Sequence, residues 1–258
     1  DRPFFVQYAD WIWRAVHGDL GRSMQSSEPV TALIGARLPN TAFLVAFALL
    51  IVLVVGLLLG VLAGRKDSSA LARTIGVLTT AGSATPPFVA SMVLIAVFGV
   101  QLGWFPTFGA GDDFLEKVHH MFLPATALAI AYTAVIARVT RGAVAVESKR
   151  EFVEVAIARG LPEWWTLRRH TLRNSWGPII TMVALVFMVL CVVAVYVERA
   201  FQLNGVGQLL VDSVAHRDFP VVQAIVLMYV IVFMVANLLV DVIQVLIDPR
   251  LRAGKAAR

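Results

Sequence analysis

The sequence predicts an all-α protein built into a lipid bilayer, and its bulk composition and the length of its apolar runs predict this class. Of the 258 residues, 59% are hydrophobic and only 15% are charged, and the mean hydropathy is +0.78. Soluble domains have about 45 to 50% apolar and about 25% charged residues. Several apolar runs approach or exceed the roughly 20 residues that a helix needs to cross a bilayer. The chain is therefore predicted to be an integral membrane protein of about five spans.

Five apolar segments are predicted to span the membrane. The first contains no charged residue, and the second contains Pro86 and Pro87. A proline inside a helix costs about 3 kcal/mol or more, and membranes tolerate it where neighbouring groups satisfy the freed backbone. We therefore expect the second span to be kinked and packed inside a bundle. The five segments are residues 41–63, 74–102, 122–137, 176–197 and 220–247.

The positions of lysine and arginine predict the orientation, because cytoplasmic loops accumulate them. Residues 64–73, residues 138–175 and the tail after residue 247 together hold 15 of the 22 basic residues. These three regions are predicted to face the cytoplasm, which places the C-terminus inside. Five spans then place Asp1 outside, and this predicts a further helix upstream of the given sequence.

Residues 1–40 are predicted to form an extracytoplasmic N-terminal region, followed by the membrane domain over residues 41–258. Pro29 suits the first position of a helix, and Val30, Leu33 and Ile34 share one helical face with Leu38. We expect a short amphipathic helix that lies on membrane lipid and ends before Pro39.

The segment "EVAIARGLPEWWTLRRHTL", residues 154–172, predicts a helix, a tight turn and a second short helix. Gly160 can end the first helix in a left-handed conformation, and Pro162 can begin the second. One interpretation is an interfacial hairpin, with Trp164 and Trp165 among the headgroups and two arginines on lipid phosphates. The other is a helix that docks into a groove of a soluble partner. These residues alone leave both open.

Several classes of function are disfavoured by the sequence. The net charge is +5, and the charged residues lie between the predicted spans. A protein that binds nucleic acid presents a basic face on a soluble fold, so no nucleic-acid partner is expected. The single Cys191 excludes an intramolecular disulfide, and the adjacent His119 and His120 lack the further ligands of a metal site, so no metal is expected. A proton-coupled carrier needs titratable groups at mid-membrane, and only Glu198 and Asp241 come near.

A family resemblance favours the docking interpretation. Glu154, Ala156 and Gly160 reproduce the E-A-A-x-x-x-G core of the cytoplasmic loop of ABC importer permeases, with Val155 replacing the second alanine. Leu172 keeps the leucine of the later I-x-L-P pattern, whose proline is missing here. The sequence "RHTLRNSWGPIIT" resembles the dipeptide, oligopeptide and nickel branch of that family. The agreeing stretches elsewhere are "GDLGRSM", "PVTALIGARLPNT", "RDFPVVQ", "NLLVD" and "DPRLR".

The resemblance implies a type I ABC importer transmembrane domain, a fold of six helices of which this chain would hold five. It implies a permease in the bacterial inner membrane that imports peptides or similar small solutes. Its partners would be a homologous second permease, two cytoplasmic ATPase subunits and an external solute-binding protein. The sequence shows no G-x-x-x-x-G-K-[ST] phosphate loop, so this chain is expected to be non-catalytic and to bind no cofactor, with ATP and Mg on the ATPase subunits.

The resemblance and the residues together predict three groups of functional residues. The docking residues for the ATPase subunit are Glu154, Ala156, Gly160, Leu161 and Leu172. The translocation path would offer weak contacts from Thr79, Thr80, Ser83 and Thr85 beside Pro86 and Pro87, leaving selectivity to the binding protein. The contacts for the binding protein are Glu198, Arg199, Arg217 and Asp218. Glu154 would pair either across the interface or with an arginine of its own loop, and Glu198 could instead pair locally with Arg199.

Three alternative functions belong beside the leading one. A membrane anchor or sensor would use the same loop to recruit a cytoplasmic partner without transport. Within the family, the solute could be nickel or another non-peptide. A secondary transporter is disfavoured because charges at mid-membrane and an inverted repeat are not evident in the sequence.

Overall fold

The computed structural model describes residues 3–111 and 113–247, and these form a bundle of helices. Within these ranges the only extended pairing is an isolated bridge between Arg22 and Pro29, so the all-α prediction is confirmed. The basic tail after residue 247, which was predicted to be cytoplasmic, lies outside the described residues. The helices are α1 (Phe4–Val16), α2 (Val30–Arg65), α3 (Ala70–Ser83), α4 (Pro87–Leu94), α5 (Phe114–Ser148), α6 (Glu151–Ala158), α7 (Glu163–Thr166), α8 (Leu172–Phe201), α9 (Val206–Ala215) and α10 (Phe219–Ile247).

Five helical units account for the five predicted spans. Four are long and apolar enough to cross a membrane: α2, α5, the run Glu163–Phe201 and α10. The fifth is the pair formed by α3 and Pro87–Gln101, which is bent by 99°. Pro86 precedes α4 and Pro87 is its first residue, where a proline loses no helical hydrogen bond. The predicted kink is confirmed, and it is sharp because the prolines start a new helix.

The predicted N-terminal region is corrected in two ways. The helix that lies apart in this region is α1, whose Phe5, Trp13 and Val16 are exposed, rather than a helix ending at Leu38. Residues 30–40 instead form the first turns of α2, which runs through Pro39 without a break. Val30 and Ile34 are buried in a cluster with residues of α9 and α10, and this packing stabilises the helical turns that precede the proline.

The predicted loop at 138–175 is also too long. Helix α5 continues from the third span to Ser148, and the run Glu163–Phe201 begins before the fourth predicted span. The charged residues that mark the end of an apolar segment therefore lie on helices that extend beyond it. What separates α5 from the next long helix is α6 and a short turn on each side.

Helices α2 and α5 pack closely because glycines on α2 face α5. A Cβ atom at Gly56 would lie 3.0 Å from Ile136 Cβ, and one at Gly64 would lie 2.8 Å from Val144 Cβ. At Gly60, between them, a Cβ atom would overlap Thr140 and lie 2.7 Å from the Ala137 carbonyl oxygen. Small residues at four-residue spacing allow such close contact between helices in a membrane.

The bundle has two ends that differ in character. The cap end carries the 17–29 turn, the start of α2 and α9. The loop end carries the end of α2, the α2–α3 turn, α6 and α7. At the loop end Arg141 on α5 donates to Asp67 at 2.7 Å, which fixes the turn between α2 and α3.

Candidate functional site

The predicted turn at Gly160 is present at the loop end. Gly160 has φ +80°, a left-handed conformation that glycine adopts without a steric penalty. The Leu161 N–H donates to the Ala156 carbonyl at 3.2 Å, which is the closing bond of a Schellman motif. Nothing lies within 4 Å of a Cβ atom built at Gly160. The glycine is therefore required by its backbone angle rather than by crowding.

The second short helix packs its aromatic side chains against the loop. Pro162 caps α7, and the Trp165 N–H donates to its carbonyl at 3.0 Å. The ring of His170 lies 5.4 Å from that of Trp165 and 5.9 Å from that of Phe152. These contacts tie α6 to the π-helical stretch Leu167–Thr171, which continues into α8. Sequence reasoning missed this cluster because its members lie up to 18 positions apart.

The structure divides the predicted docking residues between two faces. Glu154 and Gly160 are exposed, Leu161 and Leu172 are half-buried, and Ala156 is 7% exposed. The small side chain of Ala156 thus packs within this chain, and its part in docking stays a prediction. Among the described residues Glu154 forms no ion pair with an arginine of its own loop, which leaves its carboxylate available to another protein.

An apolar surface missed in the sequence surrounds Glu154. Phe152, Val155 and Trp164 are 36%, 49% and 62% exposed. Trp165 is half-buried, and the Arg169 guanidinium lies 5.5 Å from its ring centroid. The two adjacent tryptophans therefore have different surroundings, and the interfacial interpretation with both in the headgroups is not favoured. Val153 and Ala156 form the buried side of α6.

One ion pair links this loop to the rest of the bundle. Arg65 Nη2 at the end of α2 lies 3.6 Å from Glu163 Oε2 at the start of α7. Both side chains are substantially exposed, so the pair contributes little to stability. It does place the end of one span against the loop that precedes another.

The predicted path residues lie on α3 and at its bend, but their hydroxyl groups are already bonded. Thr79 and Thr80 donate to the Gly76 carbonyl at 3.0 and 2.9 Å, and Thr85 donates to Ala81 at 3.0 Å. Ser83 donates to the Thr80 carbonyl at 3.0 Å. These bonds use the hydroxyl protons, so the groups can offer a solute only their acceptor lone pairs. Pro86 is exposed and Pro87 half-buried at the bend.

Sequence reasoning overlooked a charged residue beside this path. Arg138 was assigned to a loop, yet it lies on α5, and its Nη2 atom donates to Ser83 Oγ at 3.2 Å. Arg138 therefore brings a charge beside the predicted path residues at the end of α3. The apolar segment ends at Ala137, whereas α5 continues for ten residues past Arg138, so the apolar pattern alone did not indicate the position of this arginine.

Glu198 lies in a buried polar cluster at the cap end, which corrects its predicted role as a contact for a binding protein. The residue has no exposed surface. Its carboxylate accepts from the Thr41 hydroxyl at 2.6 Å and from the Gln208 N–H at 3.0 Å. A Cβ atom at Gly205 would overlap this carboxylate. The alternative local pair with Arg199 is also wrong, because Arg199 Nη1 pairs with Asp212 Oδ1 at 2.6 Å.

Asp218 is corrected for the same reason. It is 3% exposed and accepts hydrogen bonds from the Ser23 hydroxyl and, at 3.1 Å, from the Met24 N–H. Burial works against its charge, but the bonds from Ser23 and from backbone N–H groups outweigh it and lower the pKa of Asp218. Arg199 is half-exposed and Arg217 exposed, so these two stay predictions as binding-protein contacts.

His119 and His120 hold the connection between α4 and α5. His119 Nε2 lies 3.0 Å from the Trp104 carbonyl oxygen, and His120 Nδ1 lies 3.2 Å from that of Phe108. In the part of the chain that the structure describes, no three His, Cys, Asp or Glu side chains converge as metal ligands would. The expectation of no metal remains a prediction.

The comparisons with known proteins agree on one family. The model of the family described as "Binding-protein-dependent transport system inner membrane component" matches residues 56–253. The glutathione transport system permease protein GsiC of Escherichia coli O6:H1 is 37% identical over 255 residues, covering 98% of this chain and 81% of that protein. The oligopeptide transport system permease protein AppB of Bacillus subtilis strain 168 is 35% identical over 255 residues, covering 96% of this chain and 81% of that protein.

Two solved structures share the fold. A chain of the MetNI methionine ABC transporter in an inward-facing conformation superposes with a TM-score of 0.72 at 17% identity, covering 86% of this chain and 99% of that chain. A chain of an amino acid ABC transporter crystallised with histidines gives 0.63 at 19% identity, covering 83% and 94%. At such low sequence identity, these superpositions show the fold alone. They confirm the predicted fold of a type I importer transmembrane domain.

Proposed function

The chain belongs to the family of binding-protein-dependent transport system inner membrane components, and from this membership we propose its substrate class, its partners and how it is driven. Membership makes the chain a multi-pass inner-membrane permease of an ABC importer. The predicted transport role is therefore confirmed, and a non-transporting anchor or a secondary carrier is set aside.

The substrates are peptides of the size of glutathione or short oligopeptides. This proposal follows the two relatives described above, which are permeases of a glutathione and an oligopeptide transport system. Both cover most of this chain at more than one third identity. Nothing in the described residues favours nickel, for which His119 and His120 were the only candidates.

The exposed face of α6 is the observation that supports docking to an ATPase subunit. Glu154 and Val155 point away from the bundle, while Val153 and Ala156 pack inward. An amphipathic helix of this kind presents side chains to a groove in a partner. The left-handed turn at Gly160 and the aromatic cluster around His170 would hold that helix as a rigid unit.

The complete transporter contains this chain, a homologous second permease, two ATPase subunits and an external binding protein. ATP and Mg bind to the ATPase subunits, and this chain holds no cofactor and performs no catalysis. The loop end faces the cytoplasm, because the ATPase subunits meet α6 there, and the C-terminus lies on the same side. The cap end then faces the binding protein, with Arg199 and Arg217 on its surface.

Movement passes from the ATPase subunits to the spans through two connections. The run Glu163–Phe201 is a continuous helix, so displacement of α7 displaces the fourth span. The ion pair between Arg65 and Glu163 adds a contact between α7 and the end of α2. Closure of the ATPase dimer then shifts the bundle between two packings, and nucleotide contributes its difference in affinity for them.

The docking role is tested by coupling in the purified, reconstituted complex. Glu154→Lys reverses a charge that faces the partner, and Gly160→Pro cannot adopt the left-handed turn. Both variants are expected to insert and assemble but to lose substrate-stimulated ATP hydrolysis and uptake together. Glu28→Lys is the matched control, since Glu28 is also exposed but lies in the 17–29 turn at the cap end, away from α6. Normal stimulation of ATP hydrolysis in Glu154→Lys and Gly160→Pro would contradict the docking role.

The substrate class is tested separately. The complex purified with its external binding protein should release glutathione or short peptides when denatured, detected by mass spectrometry. Uptake of the labelled compound into proteoliposomes should require ATP. A co-purified solute that is neither glutathione nor a peptide would overturn the substrate class while leaving the permease assignment in place.

A further inference from the structure

The Arg138 guanidinium lies at the bend between α3 and α4. Its Nη2 atom donates to Ser83 Oγ at 3.2 Å, and Ser83 is the last residue of α3. Fourteen helical residues rise about 20 Å, so this contact lies far along the bundle from Ser69, which caps α3 at the loop end. The exposed guanidinium of Arg138 therefore lies beside the end of α3, at the bend.

This charge is not balanced within the described chain. Arg141, one turn later on α5, donates to Asp67 Oδ1 at 2.7 Å and to the Ala72 carbonyl at 3.3 Å. Over residues 3–111 and 113–247, no ion pair within 4.0 Å involves Arg138. A guanidinium has five N–H donors, and the hydroxyl of Ser83 takes one of them. Arg138 thus has the capacity to bind an anion.

A cavity lies next to this guanidinium. It measures about 200 Å³, and its lining includes Thr79, Thr80, Arg138 and Arg141. It adjoins a wider opening of about 710 Å³ that shares Thr80 and Arg141 and is bordered by Val77 and Ala81. The smaller space is large enough for a carboxylate group, and the two spaces share Gly76, Thr80 and Arg141 in their linings. Arg73 borders the wider opening. Of the two arginines that line the smaller cavity, Arg141 pairs with Asp67 and Arg138 donates to a hydroxyl.

We propose that Arg138 binds the C-terminal carboxylate of the peptide as it passes the bend. The inference rests on the proposed peptide substrate and names a residue that determines specificity within the permease. A guanidinium binds a carboxylate through two parallel N–H···O bonds, a geometry that lysine cannot reproduce. The carboxylate would take the place of Ser83 Oγ as the partner of Nη2.

Two other roles of Arg138 predict a different effect on transport when the residue is replaced. A cation near the C-terminus of α3 stabilises the helix dipole, and an acidic residue of the second permease could pair with it. Either role would make the loss of Arg138 equally harmful for every substrate. Only a substrate site makes the loss depend on whether the peptide carries a terminal carboxylate.

Uptake kinetics in the complete reconstituted complex separate these cases. Uptake of a labelled tripeptide is compared with uptake of its C-terminal amide. The KM of each variant is divided by the KM of the wild-type chain for the same ligand, so that any preference of the binding protein for one ligand cancels. Arg138→Gln is expected to raise KM for the free acid about tenfold or more, as loss of a charged hydrogen bond does, and to change KM for the amide less than about twofold. Arg138→Lys should recover part of the loss. Arg141→Gln, the control, should affect both ligands equally because it loosens α3.

A thiol-labelling assay measures peptide binding to the permease directly, without the external binding protein. Thr80→Cys is placed in a Cys191→Ser background, and modification of the new thiol is timed in the purified complex. The free tripeptide at millimolar concentration should slow modification when Arg138 is present and not in Arg138→Gln, and the amide should slow modification of neither protein.

Equal effects of the acid and the amide, in either assay, would overturn the carboxylate site. Failure of the wild-type complex to import any peptide would instead overturn the proposed substrate class, and the site with it.

Discussion

Two acidic residues at the cap end and two at the loop end of the bundle have opposite surroundings. At the cap end, Glu198 and Asp218 are buried and accept several hydrogen bonds each from distant parts of this chain. At the loop end, Glu154 and Glu163 are exposed, and Glu163 has one long ion pair with Arg65. A carboxylate that is satisfied within its own chain stabilises the fold, whereas one left at the surface is available to another protein. The comparison separates structural from functional acidic residues.

The largest effect on stability is expected from removing the buried carboxylate of Glu198. Glu198→Ala leaves the Thr41 hydroxyl and the Gln208 N–H without their acceptor in a buried cluster, and this should lower the free energy of unfolding by about 3 kcal/mol or more. Glu154→Ala should change it by less than about 0.5 kcal/mol while impairing coupling. Denaturant unfolding in detergent, with ATP hydrolysis measured in parallel, checks both variants. Equal destabilisation of the two would refute the contrast between the ends.

The second effect concerns Asp218 and its dependence on pH. Asp218→Asn removes a charge that accepts from Ser23 and Met24, and it should cost about 1.5 to 3 kcal/mol at neutral pH. Because the folded pKa lies below the unfolded value of about 3.9, this stabilisation is present above the unfolded pKa and is lost as the pH falls through the folded one. The difference between wild type and variant should therefore shrink below about pH 4.

The matched control for this variant is Asp212→Asn. Asp212 pairs with Arg199 on the surface, and exposed pairs contribute at most about 1 kcal/mol. Unfolding midpoints recorded across the acid range would show whether the two aspartates behave alike. A wild-type to Asp218→Asn difference that grew on acidification would contradict the assigned hydrogen bonds.

A glycine at each end of the bundle extends the comparison between the ends, because the two glycines are required for different physical reasons. Gly160 has a positive φ and open space around it, and Gly205 has φ −90° but no space for a Cβ atom beside Glu198. Gly205→Ala should cost about 1 to 3 kcal/mol through overpacking, and Gly160→Ala about 1 to 2 kcal/mol through backbone strain. Asparagine tolerates the left-handed conformation, so Gly160→Asn should recover stability, whereas Gly205→Asn should be worse than Gly205→Ala. Thermal unfolding of the four variants decides between these reasons.

The parts of the structure that local chemistry determines were predictable. Gly160 and Pro162 define the turn between α6 and α7 within three residues, and the proline pair at 86 and 87 defines the bend of the second span. Pro39 was misinterpreted as a helix boundary, because the packing of α2 against α9 and α10 outweighs the local cost of a proline. The end of α5 was placed too early at Ala137, because hydropathy measures where lipid ends and not where a helix ends.

The role of the acidic residues depended on contacts that the sequence order does not display. Thr41 and Glu198 are 157 positions apart, and Ser23 and Asp218 are 195 apart. Their side chains meet only after α2, α8 and α10 have packed. Arg138 was overlooked for a related reason, since its position beside Ser83 follows from the packing of α5 on α3. Long-range pairs of this kind are what a single sequence leaves undetermined.

The smallest effect on stability is expected at the ion pair between Arg65 and Glu163, and it tests whether an exposed charge can matter for function alone. Both partners are largely exposed, so the coupling energy from a double-mutant cycle with Arg65→Gln and Glu163→Gln should be at most about 0.5 kcal/mol. If the pair transmits movement from α7 to α2, either variant should lower the amount of substrate imported per ATP hydrolysed, and the double variant should be no worse than the single ones. Additive losses in that ratio would show that the two residues act independently, and the run Glu163–Phe201 would then be the connection that carries the movement.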